Sequence, residues 1–145
     1  MKTILAGCLL VCLSVSSFAQ EEKPLCPTHI QSPGYPRIAR AAHVEGKLVL
    51  FVTIDLGGNV TDVVVTNDGK PLELLKRDTI FNVRSWRFTK PSSAPYKQTI
   101  VYDYEIDRTL PLDDPRTSVT FDLPDRVTIV TSGVSIQTDR TTKKN

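Results

Sequence analysis

The chain has 145 residues, which is enough for one domain of ordinary size and too few for two. Hydrophobic residues make up 40% of it and charged residues 23%, as in an ordinary globular protein. The formal net charge is only +2, so composition gives no reason to expect nucleic acid or a membrane surface as the partner.

The first 19 residues are predicted to be a secretory signal peptide. Lys2 is followed by an uncharged apolar run, and Ser17-Phe18-Ala19 fits the small-x-small pattern of a cleavage site. The run is shorter than the roughly 18 residues that favour a membrane span. We therefore expect cleavage after Ala19 and a mature protein in the periplasm or secreted. The alternatives are a lipoprotein modified at Cys8 and an uncleaved inner-membrane anchor.

Cysteine and histidine usage argues against chemistry at a metal or a nucleophile. Removal of the signal peptide leaves only Cys26, so no internal disulfide can form in the mature chain. Cys26 and His29 are three residues apart, but two ligands without a second pair do not make a zinc site. His29 and His43 are the only histidines, and neither lies in a nucleophile–base arrangement. We predict no catalytic, cofactor-binding or metal-binding residues and no enzyme activity.

The N-terminal half of the mature chain predicts an extended entry, a short helix and two strands. Pro36 fits a first helical position, and the stripe formed by Ile38, Ala39 and Ala42 predicts a helix that Gly46 ends. Alternation then predicts a strand with one apolar face made of Leu48, Leu50, Val52 and Ile54. Gly57-Gly58-Asn59 predicts a turn into a returning strand over residues 60–66.

A second helix and a third strand are predicted next. Pro71 marks the helix start, and the chain leaves the helix near Trp86-Arg87-Phe88; one apolar stripe contains Leu72, Leu75, Thr79, Val83 and Trp86. We expect Trp86 to anchor the core, with a ligand platform as the alternative. We expect the Lys and Arg residues of this helix to form a solvated face, with a basic docking patch as the alternative. Residues 98–106 alternate as a third strand.

This element order predicts an α+β fold. Two helices cover one face of a small three-stranded antiparallel sheet in the order α-β-β-α-β, and a β-rich C-terminal extension follows. The expected boundaries are 1–19 for the signal peptide, 20–32 for an extended segment, 33–107 for the domain and 108–145 for the extension.

Several motifs resemble those of the TonB C-terminal domain family. The stretch "YPRIARAAHVEGKLVLFVTIDLGGNVTDVVV", followed by "LLKRDTIFNVRSWRF", contains the family's landmarks in order and at compatible spacing. These landmarks are Tyr35-Pro36, Glu45-Gly46, the Asp-x-x-Gly-x-Val run from Asp55 to Val60, and Trp86-Arg87-Phe88. The resemblance covers roughly residues 33–106.

The resemblance implies a protein partner and a set of contact residues. In the family, the domain binds a short N-terminal segment of outer-membrane receptors as a strand added to its third strand. Carried over to this chain, the contacts are Thr99, Ile100, Val101, Tyr102, Asp103, Tyr104, Glu105 and Ile106. The family's segment before Tyr-Pro also lies near the receptor peptide, and here it supplies Gln31 and Ser32. Ser32 stands where well-known members often have Gln.

The departures from the family favour a stand-alone binding module linked to TonB-dependent transport. Energy-transducing members have an uncleaved membrane helix and a long Pro-rich spacer. Residues 20–32 cannot cross a periplasm, since an extended chain reaches at most about 3.3–3.6 Å per residue. The alternative is a membrane-anchored energy transducer, if the N-terminal segment is not cleaved. Pairing through an edge strand could also make a homodimer.

The C-terminal extension has strand character of its own. Val119, Phe121 and Leu123 alternate, as do Val127, Ile129 and Thr131, and Pro124-Asp125 separates the two runs. A free β-rich tail would be an aggregation hazard. We expect it to add strands beside the domain sheet and to occupy or compete for the edge at residues 99–106. A separate hairpin or a disordered tail is the alternative.

Overall fold

The structure is a computed structural model, and it describes residues 23–67 and 69–135. The predicted signal peptide lies outside the described residues. The elements in chain order are β1 (Pro27–His29), α1 (Arg37–Ala41), β2 (Gly46–Ile54), β3 (Val60–Val65), α2 (Glu73–Arg84), β4 (Arg87–Phe88), β5 (Tyr96–Asp107), β6 (Thr117–Asp122) and β7 (Arg126–Ser132). A short 3₁₀ turn, Lys70–Leu72, leads into α2.

Within the described residues the main sheet has five strands in the order β3-β2-β5-β7-β6. Strands β3, β2 and β5 pair antiparallel, as the sequence predicts for the three-stranded sheet of the domain. The extension supplies the other two strands, with β7 parallel to β5 and β6 antiparallel to β7. The α+β prediction is confirmed, and the domain and its extension share one continuous sheet.

Alternation along the strands builds the core on the helix-covered face. Leu48, Leu50, Val52 and Ile54 of β2 are fully buried, as the sequence pattern predicts. The tail continues this layer, since Val127 and Ile129 of β7 are also fully buried. Each such side chain adds roughly 1.5–3 kcal/mol of stabilisation when it leaves water. The extension is therefore a part of the core.

The two helices cover the same face of the sheet. Leu75, Thr79, Asn82 and Val83 of α2 are buried, and so is Ala39 of α1. The prediction for the first helix is wrong in detail. The α1 helix ends at Ala41, Ile38 is 70% exposed, and Gly46 begins β2 instead of ending the helix. His43 has a φ of 52°, which turns the chain before a further helical turn can form.

The turn between β2 and β3 links two of the family landmarks. Asp55 Oδ1 accepts hydrogen bonds from the backbone of Gly57 at 2.8 Å and of Asn59 at 2.9 Å. Gly58 has a φ of 82°, and a Cβ there would lie 2.1 Å from the carbonyl oxygen of Phe88. The backbone N–H of Phe88 donates to Gly58 O at 2.8 Å. The Asp-x-x-Gly motif and the Trp-x-Phe motif therefore depend on each other's backbone.

Two observations concern only the described part of the chain. Residues 23–67 and 69–135 contain no helix that is long and apolar enough to cross a membrane. The same residues contain no group of three or more His, Cys, Asp and Glu side chains that could hold a metal ion. Cys26 is free and exposed, and its carbonyl oxygen accepts a hydrogen bond from Thr89 N at 2.9 Å.

Candidate functional site

The predicted contact strand, Thr99 to Ile106, lies within β5 and presents two different faces. Ile100, Tyr102, Tyr104 and Ile106 point into the core and are buried. Thr99, Val101, Asp103 and Glu105 alternate with them and lie on the face that no helix covers. Asp103 on this open face forms an ion pair with Lys47 at 2.8 Å. A peptide added to β5 could therefore contact the backbone and the exposed side chains of Thr99 and Glu105, but not the buried side chains, which include Asp103 on the open face.

The two buried tyrosines of β5 have structural partners. The Tyr102 hydroxyl donates to Asn82 Oδ1 at 2.7 Å. The Tyr104 hydroxyl lies 2.8 Å from Thr79 Oγ1, which donates its own proton to Leu75 O, so Tyr104 is the donor of this bond. Burial raises the pKa of Tyr102 well above its usual range and raises that of Tyr104 to about 12. Both hydroxyls stay neutral in the folded protein and hold α2 against β5.

The chain's own tail occupies the other side of β5. Strand β7 pairs with it in parallel from Val101 opposite Arg126 to Asp107 opposite Ser132. The pairing begins with a 2.7 Å hydrogen bond from Val101 N to Asp125 O. The expectation that the tail adds strands beside the domain sheet and occupies the edge of β5 is therefore confirmed. Thr99 and Ile100 lie just ahead of this pairing.

A polar cluster, which we call the Arg40 clasp, fixes the end of the tail hairpin. It consists of Arg40, Asp114 and Ser132. Arg40 donates from Nε to Ser132 O at 3.0 Å, and from Nη2 to Asp114 O at 2.6 Å and to Ser132 Oγ at 2.8 Å. Ser132 Oγ donates in turn to Asp114 O at 2.9 Å. The first helix of the domain thereby holds both ends of the β6–β7 hairpin.

The Glu-Gly landmark closes the neighbouring end of β5. Glu45 accepts a hydrogen bond from Ile106 N at 2.8 Å through Oε1, and it pairs with Arg108 at 2.7 Å through Oε2. Gly46 has a φ of 146°, and a Cβ there would lie 2.7 Å from a methyl group of Leu72. A side chain at this position would be strained and crowded, which explains why glycine follows the glutamate.

Asn82 joins the two groups of predicted contact residues. Its Oδ1 accepts from Tyr102 and, at 3.2 Å, from the indole N–H of Trp86, while its Nδ2 donates to Gln31 O at 3.0 Å. Gln31 and Ser32 are exposed, and they line a groove of about 310 Å³ beside Phe81. Sequence reasoning missed Asn82. The available signal was a polar residue between Thr79 and Trp86 on an otherwise apolar stripe.

Trp86 packs against aromatic residues of both the domain and the extension. It is fully buried, so the core-anchor prediction is confirmed. Its ring centroid lies 6.1 Å from that of Phe88, 6.1 Å from that of Tyr102 and 6.4 Å from that of Phe121. Phe121 belongs to β6, so the extension packs directly against the aromatic landmark of the domain.

Comparison with known proteins identifies the family to which this chain belongs. The family model described as the Gram-negative bacterial TonB protein C-terminal matches residues 31–106. A search of curated proteins found no match. Among solved structures, the solution NMR structure of the Pseudomonas aeruginosa TonB C-terminal domain is similar, with 22% identity and a TM-score of 0.44. That alignment covers 67% of this chain and 95% of the other. Because the family model spans more than half of the chain, the protein belongs to the TonB C-terminal family, whose domains are protein-interaction modules of TonB-dependent transport.

Proposed function

We propose that this chain is a periplasmic, TonB-like binding module that takes an extended peptide of an outer-membrane receptor as an added strand of its sheet. The proposed contact strand is residues 99–106 of β5. The second proposed contact is Gln31 and Ser32. Asn82 Nδ2 holds this segment through its hydrogen bond to Gln31 O. Family membership supports the class of partner, and the geometry of β5 supports the mode of binding.

The observation that carries the proposal is the parallel pairing between β5 and β7. A strand edge that accepts seven successive residues of its own chain has the hydrogen-bonding geometry that an extended ligand needs. The tail also indicates what such a ligand must look like. Val127, Ile129 and Thr131 point into the core at every second position, so a receptor peptide would need small or β-branched residues at the same spacing.

Binding at β5 is then an exchange, because the hairpin must leave before the peptide pairs. Releasing the hairpin exposes Val127 and Ile129, at roughly 1.5–3 kcal/mol for each side chain. A peptide that fills the same positions recovers this cost. The tethered hairpin competes at an effective concentration on the order of millimolar for a short connection. We therefore expect weak binding to the intact chain and stronger binding once the hairpin is loosened.

The proposal is tested with a synthetic peptide that copies the N-terminal segment of a TonB-dependent receptor. It is titrated into isotope-labelled protein while backbone amide signals are followed. We expect shifts at Val101, Asp103 and Glu105, together with loss of the native signals of β7. The control is the same peptide with proline at its centre, which cannot complete the ladder. Shifts confined to β3 or β6, or equal binding of the proline peptide, would refute the proposal.

The periplasmic location depends on export of the chain and removal of residues 1–19. The intact mass of the native protein tests this part, with Gln20 expected as the first residue. A lipidated Cys8 would instead indicate a lipoprotein. An unprocessed chain in the membrane fraction would indicate the anchored energy transducer.

A homodimer remains part of the proposal, but β5 cannot be its edge while the hairpin is in place. The outer strands of the five-stranded sheet are β3 and β6, and their unpaired backbone groups are the ones open to a second copy. Sedimentation equilibrium across a concentration series distinguishes a monomer from such a dimer.

A further inference from the structure

The outer face of α2 carries one continuous stripe of charged and apolar side chains, most of which point away from the core. We call it the Phe81 stripe, and it consists of Glu73, Lys76, Arg77, Ile80, Phe81 and Arg84. These positions recur every three or four residues and so lie along one side of the helix. They line a groove of about 560 Å³. The opposite side of α2 faces the core through Leu75, Thr79 and Val83.

Phe81 is the unexpected member of this stripe. It is 74% exposed, more than any other large hydrophobic side chain in the described part of the chain. Among the described residues, its ring is in no aromatic pair. Ile80 beside it is only half-buried against the core. An exposed phenyl group in the middle of a helix contributes little to folding, and together with Ile80 it forms a small apolar contact at the surface.

The charges around Phe81 are unbalanced. Arg77 and Arg84 make no ion pair within residues 23–67 and 69–135, and Lys76 lies 3.6 Å from Glu73. Three cations of the groove therefore face two carboxylates, those of Glu73 and Asp78. Arg77 and Arg84 are seven residues apart, or about 10 Å along the helix at 1.5 Å per residue, and Phe81 lies between them.

We propose that the Phe81 stripe is a second docking surface, which binds an acidic segment of a partner protein. An apolar side chain of that segment packs on Phe81 and Ile80, while two carboxylates pair with Arg77 and Arg84. In an extended chain every second side chain points the same way, and four residues span about 13–14 Å, a distance that the long side chains of Arg77 and Arg84 can bridge. The ligand that fits is therefore an extended segment with acidic residues four positions apart and an apolar residue midway between them, so that all three side chains face α2.

A protein segment fits this surface better than an anionic membrane does. Only Phe81 and Ile80 supply apolar area, whereas a helix that lies in a membrane interface has a wide apolar face. Glu73 and Asp78 on the same side would also be repelled by anionic headgroups. The surface is on α2 and shares no residue with the proposed contacts on β5, although Phe81 also lines the groove beside Gln31 and Ser32. Pairing of carboxylates with Arg77 and Arg84 does not depend on strand addition at β5.

The test uses the full chain and a defined probe. The probe is a capped ten-residue peptide of Gly and Ser with two Asp residues four positions apart and a Phe midway between them, so that the three side chains share one face of the extended peptide. The control probe has Asn in place of both Asp. We expect the acidic probe to bind and to shift the amides of Arg77, Phe81 and Arg84. We also expect about tenfold weaker binding for the Asn probe and, because exposed charges are screened, weaker binding at high salt.

Matched variants separate docking from a general loss of charge or apolar surface. Phe81→Ala and Arg77→Glu should each weaken binding of the acidic probe by about five- to tenfold or more, as at the centre of an interface. Leu56→Ala removes another side chain that is 60% exposed, and Lys97→Glu reverses a charge on the opposite face; both should leave binding unchanged. Equal affinities across all four variants would overturn the proposal. So would binding to phosphatidylglycerol vesicles in place of the probe.

Discussion

Arg40 in α1 and Ser132 at the end of β7 are joined by two hydrogen bonds, from Nε to the backbone oxygen at 3.0 Å and from Nη2 to Oγ at 2.8 Å. The two residues are 92 positions apart, so this contact ties the first helix of the family domain to the end of β7. We expect Arg40 therefore to control release of the hairpin from β5.

Replacing Arg40 tests this control. Arg40→Ala removes three bonds from a charged donor and should lower the free energy of unfolding by about 1.5–3 kcal/mol. Hydrogen exchange should accelerate in β7 more than in β2, since β7 loses its anchor. Arg37→Ala on the same helix is the control, because Arg37 is exposed and makes no ion pair within the described residues. Equal hydrogen exchange of β7 in the two variants would show that the Arg40 clasp does not stabilise the hairpin.

Neighbouring residues of β7 test whether the extension belongs to the core. Ile129 is fully buried, so Ile129→Ala should cost about 2–5 kcal/mol in the free energy of unfolding. Val130 points to the open face, and Val130→Ala should cost less than about 1 kcal/mol. Denaturant titration with circular dichroism measures both. Similar small losses would indicate a hairpin that only rests on the sheet.

Truncation after Asp107 would not isolate the effect of a free β5 edge on peptide binding. That truncation removes Val127, Ile129 and Phe121, the last of which packs on Trp86. We expect the shortened chain to be destabilised, so its peptide affinity would not report on the edge alone. A disulfide that holds the hairpin on β5 in the intact chain is the better experiment.

Trp86 provides the test of the shared aromatic core. Trp86→Ala should cost about 3–5 kcal/mol in the free energy of unfolding, because a fully buried indole is lost and Asn82 loses one donor. Phe81→Ala removes an exposed ring one turn earlier and is the matched control, with an expected cost under about 1 kcal/mol. A small effect at Trp86 would contradict its burial.

The buried tyrosines predict how stability changes at alkaline pH. An unfolded tyrosine has a pKa of about 10, whereas burial raises the pKa of Tyr104 to about 12. The folded state therefore keeps a proton that the unfolded state loses. This stabilisation is complete below pH about 10 and is lost as the pH rises through about 12, by about 1.4 kcal/mol per pH unit for one group.

Tyr104→Phe isolates this contribution, because Thr79 keeps its own bond to Leu75 O at 2.7 Å. Chemical unfolding at pH 8, 10 and 11.5 should show a shallower alkaline loss for the variant than for the wild type. Parallel pH profiles for the two proteins would mean that Tyr104 titrates normally.

The sequence predicted those features that depend on local pattern. The alternation of Leu48 to Ile54 correctly placed the face of β2, and Gly57-Gly58-Asn59 correctly placed its turn. However, alternation of apolar and polar residues does not specify which strand a given strand pairs with, or whether the two run parallel or antiparallel. Nothing in Val127 to Thr131 indicates that β7 runs parallel to β5. The short helix was predicted from spacing, but Ile38 shows that three apolar residues cannot tell which side of one turn faces the core.

The proposed contact residues on β5 and in the segment before Tyr35 come from the resemblance alone and stay a prediction. What the structure confirms is the burial pattern of the strand, since Tyr102 and Tyr104 are buried as its alternation predicts. Apart from the Asn82–Trp86 bond, which spans four positions, the bonds of the Arg40 clasp and the Asn82 network join residues 18 to 92 positions apart. Such polar networks form only when packing brings the elements together, so no window of the sequence contains them.

The most direct test of the account is a reversible disulfide between β5 and β7. Glu105 and Val130 are paired neighbours on the open face, and Glu105→Cys with Val130→Cys in a Cys26→Ser background would lock the hairpin in place. The account predicts that the oxidised protein binds the receptor peptide at least about tenfold more weakly than the same protein after reduction. Equal affinity of the oxidised and reduced forms would contradict binding at β5.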